Sequence, residues 1–281
     1  MTSEPQWPRF SSQVIEQLAH ANDIDDQVDP DVSLPDRIDC HADDDDVRQC
    51  YALGLAYWEQ GVSRDALLSF CQRIIAGEVL SQADMAEFKQ IRARYKLMRF
   101  AQRLYSTSHA VNKVFGLTTV TMGKLQDAYK NGQHQEMKRF AKRLRWLVSR
   151  PVWGYVHHTI THVKLASARE VCAVRRKRLE HIAWVARQTQ LGGKTFHNTR
   201  KVISQQVAHY GIYHTLNPDN ATIYQIFRFL SAINGLMGDK HDEIVAGAIA
   251  GEHRYDDQVK IADDLAWRLK RVAHSFVPDA S

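Results

Sequence analysis

Apolar residues recur at steps of three and four along most of this 281-residue chain, the period of amphipathic helices. Val14, Ile15 and Leu18 predict a short helix over 11–21. Val47, Cys50, Tyr51, Leu55 and Trp58 predict a second, ended by Gly61. Leu67, Phe70, Cys71, Ile74 and Ile75 predict a third, begun near Ser63 and ended by Gly77. From Ser81 the helical signal is nearly continuous. Ser81 and Asp84 stand at capping-box spacing, and the helix they open runs to about Tyr105. Gly116, Gly123, Asn131-Gly132 and Pro151 punctuate the next stretch. A long helical segment then reaches Leu191 and breaks at Gly192-Gly193, and Thr195 stands where it can cap the next helix, which ends near Asn217-Pro218. Further helices fit 221–236, 240–253 and 257–276. Period-two alternation is almost absent, so the expected class is all-α.

The segment from Asn22 to Asp46 breaks this pattern. Aspartate dominates it, Pro30 and Pro35 interrupt it, and apolar anchors are few. Such a composition buries too little surface to offset the entropy of ordering. The expected organisation is therefore an acidic, largely disordered leader over 1–46, a helical hairpin over 47–80 and a helical domain over 81–281. No run of about 18 apolar residues predicts a membrane span. The start, Met1-Thr2-Ser3-Glu4-Pro5, lacks the pattern of a secretory signal. Cys40, Cys50, Cys71 and Cys172 show no paired spacing, so they read as reduced thiols of a cytoplasmic protein.

Charge changes the picture more than composition does. Residues 1–85 carry 5 basic and 17 acidic side chains, residues 86–201 carry 25 and 5, and residues 202–281 carry 7 and 10. A net charge of +5 thus hides a middle of +20. Like charges at that density oppose compaction, which points to a polyanionic ligand. Lys89, Arg92, Lys96, Arg99 and Arg103 recur at steps of three and four, on one face of the helix after Ser81. Lys138, Arg139, Lys142, Arg143 and Arg145 make a second patch, on a helix whose expected core is Phe140, Leu144, Trp146 and Leu147. Arg175-Arg176-Lys177-Arg178 spread around a helix, so part of that run reads as a solvated face. Lys194, His197, Arg200 and Lys201 cluster at a helix start, where the dipole disfavours cations. A phosphate held by those side chains and the free backbone N–H groups would relieve the conflict.

An internal repeat runs through the same region. Phe88, Arg92 and Tyr105 are followed 108 positions later by Phe196, Arg200 and Tyr213. His197-Asn198-Thr199-Arg200-Lys201 opening a long helix, with Leu236-Met237-Gly238-Asp239-Lys240-His241-Asp242 some forty residues on, resembles the second half of the CHAD family, the conserved histidine α-helical domains. The closing stretch Trp267-Arg268-Leu269-Lys270-Arg271 with Phe276 is similar to that family's C-terminal end. The resemblance covers about 82–277. It implies two pseudo-symmetric helical-bundle halves around a basic cavity, a turn between helices at Leu236–Asp242, and binding of inorganic polyphosphate. In the first half Lys89 stands where the family pattern has histidine, and the region of Ser149–Trp153 lacks the turn aspartate.

The expected function is non-catalytic binding of polyphosphate by Lys89, Arg92, Lys96, Arg99, Arg103, Arg139, Lys142, Arg143, Lys194, His197, Arg200 and Lys201. No cofactor, metal or membrane is implied; polyphosphate granules or the nucleoid are the matching cellular sites. A nucleic acid is the alternative partner, since any phosphate polymer gains by releasing counterions onto such residues. A metal-dependent phosphohydrolase is a further alternative, with His241-Asp242, either His209 or His214, and Asp263 as ligands and His157, His158 and His162 as others. The aspartates of Asp43–Asp46 suggest either a solubilising tail or an internal mimic of the polyanion.

Overall fold

The computed structural model describes residues 7–40 and 42–276; the ends of the expected leader and of the 81–281 domain, with His41, lie outside the described residues. The protein is an all-α helical bundle with almost no strand. In chain order the elements are α1 (Ser12–Asp23), α2 (Asp44–Gly61), α3 (Arg64–Ala76), α4 (Gln82–Tyr105), α5 (Lys113–Lys130), α6 (His134–Leu147), α7 (Arg150–Thr161), α8 (Ala168–Val185), β1 (Gln190–Gly192), α9 (Gly193–Leu216), α10 (Ala221–Ala250), β2 (Gln258–Lys260) and α11 (Asp263–Ser275). They form two compact units: unit 1 is Met1–Phe10 with Tyr51–Ala166, and unit 2 is Ser11–Cys50 with Ser167–Ser281. The chain therefore divides inside α2 and after α7, rather than at residues 46 and 80.

Unit 1 is fixed by local rules that the sequence carries openly. Ser63 Oγ accepts from Ala66 N to start α3, and Gly77, at φ 92°, stops it. Ser81 and Asp84 exchange both bonds of a capping box at the start of α4, and Arg73 grips the same carboxylate at 2.9 and 3.0 Å. The core centres on Trp58, which stacks on Trp153 at 5.3 Å and meets Tyr95 and Phe115 at 5.8 and 5.9 Å. Emptying such a site by Trp58→Ala costs about 3–5 kcal/mol. Gly116 and Gly123 do not punctuate the chain: both lie inside α5. Pro151 sits in the first turn of α7, where a missing N–H costs nothing.

Unit 2 is built on the α9–α10 hairpin. Phe196, Ile203, Val207, Phe227, Leu230 and Ile233 are buried together with Leu265 and Leu269 of α11. Helix α8 ends at Val185, short of the expected Leu191, because residues 190–192 pair antiparallel with 258–260. Gly192 is the N-cap of α9 and Thr195 does not cap it. A Cβ on Gly193 would fall 2.0 Å from the Tyr255 carbonyl, which is why small residues stand there. Helix α10 runs unbroken for 30 residues, so Leu236–Asp242 is helix and not the turn that the family resemblance implies.

The leader is the largest departure from expectation. Residues 11–50 belong to the body of unit 2. Leu34 and Ile38 are buried there, and Ile38 N donates to the Ser275 carbonyl at 2.8 Å. Arginines of α10 and α11 hold the acidic chain: Arg228 lies 3.7 Å from the Asp29 carboxylate, Arg268 donates to the Asp29 and Pro30 carbonyls, and Arg271 pairs with Asp36. Few apolar anchors suffice because the guanidinium groups of buried Arg268 and of half-buried Arg228 and Arg271 supply the rest. Asp44 Oδ1 also accepts from Ala168 N at 2.6 Å, at the start of α8.

Candidate functional site

The repeat read from the sequence has local counterparts in the two units. Helices α4 and α9 are each 24 residues long, and each is followed by a helix capped by asparagine: Asn112 accepts from Val114 N and Phe115 N, and Asn220, 108 positions on, accepts from Ile223 N. The two matched arginines meet the same feature. A Cβ on Gly123 of α5 would stand 3.3 Å from Arg92 Nη2, and one on Gly238 of α10 would stand 3.0 Å from Arg200 Nη2. From cap to glycine there are 11 residues in unit 1 and 18 in unit 2. The difference of seven is close to two turns at 3.6 residues per turn, so the glycine keeps its facing. Gly238 belongs to the motif read from the sequence; Gly123 was read there only as a break.

In unit 1 the cations of α4 stay together. Arg92, Lys96 and Arg99 are partly buried, and Lys89 and Arg103 are exposed. Arg92 Nη1 donates to Gln126 Oε1 at 2.9 Å. Burial pulls the Arg99 guanidinium below its ordinary range, and the charges of Arg103 and Arg92 pull it further. Phe88, Tyr95, Phe100 and Tyr105 all face the core, as their spacing predicts. A third arginine, Arg94, also lies over a glycine, Gly61, but it donates to the Tyr57 carbonyl at 2.6 Å and so closes α2.

The α6 residues are placed differently. Met137, Ala141, Leu144 and Leu147 form the buried face, which leaves Arg139, Lys142 and Arg143 in solvent. Arg139 lies 3.3 Å from Glu136. Trp146, expected in the core, is 62% exposed on the same stripe, because positions 139, 142, 143 and 146 follow the helical period away from Leu144 and Leu147.

In unit 2, His197 and His241 stack with ring centroids 4.8 Å apart, and each keeps a buried Nδ1 without a hydrogen bond. Burial first, then Lys201, His241 and Arg200, lower the His197 pKa to about 4, so the imidazole is neutral at pH 7. Burial and Arg200 lower His241 likewise, with Asp242, 3.7 Å away, opposing. The Nε2 of His241 is 3.2 Å from the Tyr255 hydroxyl, which donates to the Gly193 carbonyl.

The dipole conflict at the start of α9 is already resolved. Asp256 Oδ1 accepts from Lys194 N at 3.0 Å, and its Oδ2 lies 3.4 Å from Lys194 Nζ. An internal carboxylate therefore stands where the sequence suggested a phosphate. Asp256 was missed because it lies 62 residues from its partner, and only the β1–β2 pairing brings it there.

No family model, curated protein or solved structure matches this chain.

The remaining expectations concern residues that the fold scatters. Among the described residues no three of His, Cys, Asp or Glu converge so that they could hold a metal ion, so His241, Asp242, His209, His214 and Asp263 do not assemble as one site. Arg175, read as part of a solvated run, is instead buried at 2% exposure, where it donates to Tyr210 Oη at 2.9 Å and Gln206 Oε1 at 3.3 Å. The four cysteines are free. A 310 Å³ pocket in unit 1 and clefts of 470 and 570 Å³ in unit 2 are lined by none of the twelve candidate phosphate contacts.

Proposed function

We propose that this protein binds inorganic polyphosphate without catalysis, chiefly on the basic face of α4. The observation that carries this is the crowding of Arg92, Arg99 and Arg103, with Arg99 held partly buried against its like-charged neighbours. Among the described residues no carboxylate pairs with Arg99. A chain of phosphates laid along α4 places negative charge beside Arg99 and in register with the steps of three and four. Unit 2 adds Arg200 and Lys201 beside the neutral His197, which gains a proton when a phosphate adjoins it. Lys89 acts as a point charge at the outer end of the row.

The buried aromatics of α4 favour polyphosphate over a single-stranded nucleic acid there, because rings facing the core cannot stack on bases. One observation favours the second ligand elsewhere: Trp146, exposed beside Arg139, Lys142 and Arg143, offers a ring and three cations on one stripe. A thermal-shift series with polyphosphate, RNA, DNA and sulfate tests both. At about a hundred times its dissociation constant polyphosphate stabilises the fold by roughly 2.7 kcal/mol. A larger shift with RNA, abolished by Trp146→Ala, would transfer the assignment to nucleic acid. Release of free phosphate from polyphosphate would replace binding by hydrolysis.

A further inference from the structure

The loop that joins α4 to α5 bounds a pocket that phosphate binding does not use. It has a volume of 310 Å³ and is lined by Tyr51, Gln102, Ser106, Ser108, Ala110, Val111, Asn112, Lys113, Tyr155, Thr159, Ile160 and Val163, all in unit 1. That size lies at the lower end for small-molecule sites. His109, at the tip of the loop, has φ 46°, a left-handed conformation that a side chain other than glycine adopts rarely. Such strain persists only where the surroundings impose it, and it concentrates at ligand sites.

The hydrogen-bond inventory defines what the pocket can hold. Tyr51 donates its hydroxyl to the Ile160 carbonyl, Thr159 to the Tyr155 carbonyl and Ser106 to the Gln102 carbonyl. With the Ser106 proton so engaged, Ser108 must donate to Ser106 Oγ, and it accepts from Ala110 N. Gln102 Oε1 accepts from Asn112 N, and Asn112 Oδ1 accepts from Val114 N and Phe115 N at the start of α5. The N–H donors that remain are Gln102 Nε2, Asn112 Nδ2 and the Lys113 ammonium, beside hydroxyl oxygens of Tyr51, Tyr155 and Thr159 that can still accept. Gln102 is 3% exposed and its Nε2 has no partner, although burying an unmade donor is costly. Among the described residues no carboxylate lines the pocket, and Ala110, Val111, Ile160 and Val163 supply apolar wall.

We infer that this pocket binds a small organic monocarboxylate, its carboxylate taken by Gln102 Nε2, Asn112 Nδ2 and Lys113, its body resting on Val111, Ile160 and Val163. One lysine matches one negative charge, and the buried unpartnered Gln102 amide with Asn112 Nδ2 and Lys113 beside it suits an acceptor-rich group. This site stands apart from the α4 row and does not depend on polyphosphate binding.

Benzoate titrated calorimetrically into the full chain tests it, with benzamide as the neutral isostere. Saturable benzoate binding is expected, with a dissociation constant on the order of 1 mM. Binding at least about tenfold weaker is expected for benzamide and for Lys113→Gln, whose exposed site carries no fold-stabilising contact. Gln102→Met should weaken benzoate likewise if its melting temperature matches the parent. Lys270→Gln, exposed on α11, should leave benzoate affinity unchanged. Absence of saturation, equal affinity for benzamide, or loss in Lys270→Gln but not in Lys113→Gln would overturn the assignment.

Discussion

Units 1 and 2 each carry a 24-residue helix, α4 and α9, whose arginine lies over a glycine of the next helix, and use one face of it in opposite ways. On α4 the positions after Arg92 are Lys96, Arg99 and Arg103; 108 residues later α9 has Ser204, Val207 and Gly211. Ser204 donates to Asn234, which in turn donates to the Asp25 carbonyl, Val207 is buried, and a Cβ on Gly211 would touch Ala21 of α1 at 3.9 Å. The N-terminal segment thus covers in unit 2 the face that carries cations in unit 1. Whole-unit charge follows: unit 1 has 19 basic against 8 acidic residues, a net of +11, and unit 2 has 18 against 24, a net of −6. An arginine lies over a glycine of the next helix in both units, while the positions that carry cations on α4 are occupied by packed residues on α9. On the proposed reading, unit 1 is where a polyanion gains most.

The sharpest way to break this comparison is to remove the cations of each unit separately. Replacing Arg92, Lys96, Arg99 and Arg103 together by glutamine should weaken polyphosphate binding on the order of 100-fold or more, since charge-assisted contacts are the strong ones. Replacing Lys194, Arg200 and Lys201 should cost about tenfold or less, because Asp256 already neutralises Lys194. Equal losses, measured by titration at one salt concentration, would erase the asymmetry.

Gly235→Ala probes the covering segment. Its Cβ would lie 2.1 Å from the Asp26 carbonyl, a backbone atom that cannot yield without lifting the leader. A stability loss of about 1–3 kcal/mol by chemical denaturation is expected, with polyphosphate affinity unchanged. A rise in affinity would revive the leader as an internal polyanion mimic. Asp256→Asn sharpens the other end of unit 2. With the carboxylate gone, the start of α9 is free for phosphate, and affinity should rise a few-fold. Hydrogen bonding from Lys194 N, and Lys194's charge after it, hold the Asp256 carboxyl below the usual range. Its contribution to stability is therefore present above pH 4 and fades as the pH falls through its lowered value.

The smallest expected effect is that of His197. Its pKa is about 4 in the folded protein against an ordinary 6.5. Between those values the unfolded chain binds a proton that the folded one refuses, so His197 lowers stability as the pH falls from 6.5 to 4. His197→Gln should flatten that part of a melting-temperature profile. Polyphosphate, which draws the proton in, should bind more tightly at pH 6 than at pH 8 in the parent and equally at both in the variant.

Legibility in the sequence followed the range of the interaction. Ser63, Gly77 and the Ser81–Asp84 box act within four residues, and helices α3 and α4 fall where those signals put them. The α4 row was visible because a helix face is a property of spacing alone. Interactions across long separations were not. Arg268 fixes Asp29 across 239 residues and so orders a segment whose composition argues for disorder. Asp256 reaches Lys194 only through a ribbon of two three-residue strands. Gly123 and Gly238 read as breaks or turns because nothing local tells that an arginine of the preceding helix lies over them.

The central claim, that the α4 row holds a run of phosphates, is tested most directly by salt dependence. The logarithm of polyphosphate affinity should fall linearly with the logarithm of salt concentration, and the slope should shrink by roughly three when Arg92, Lys96, Arg99 and Arg103 become glutamine. An unchanged slope in a variant that still melts like the parent would contradict it.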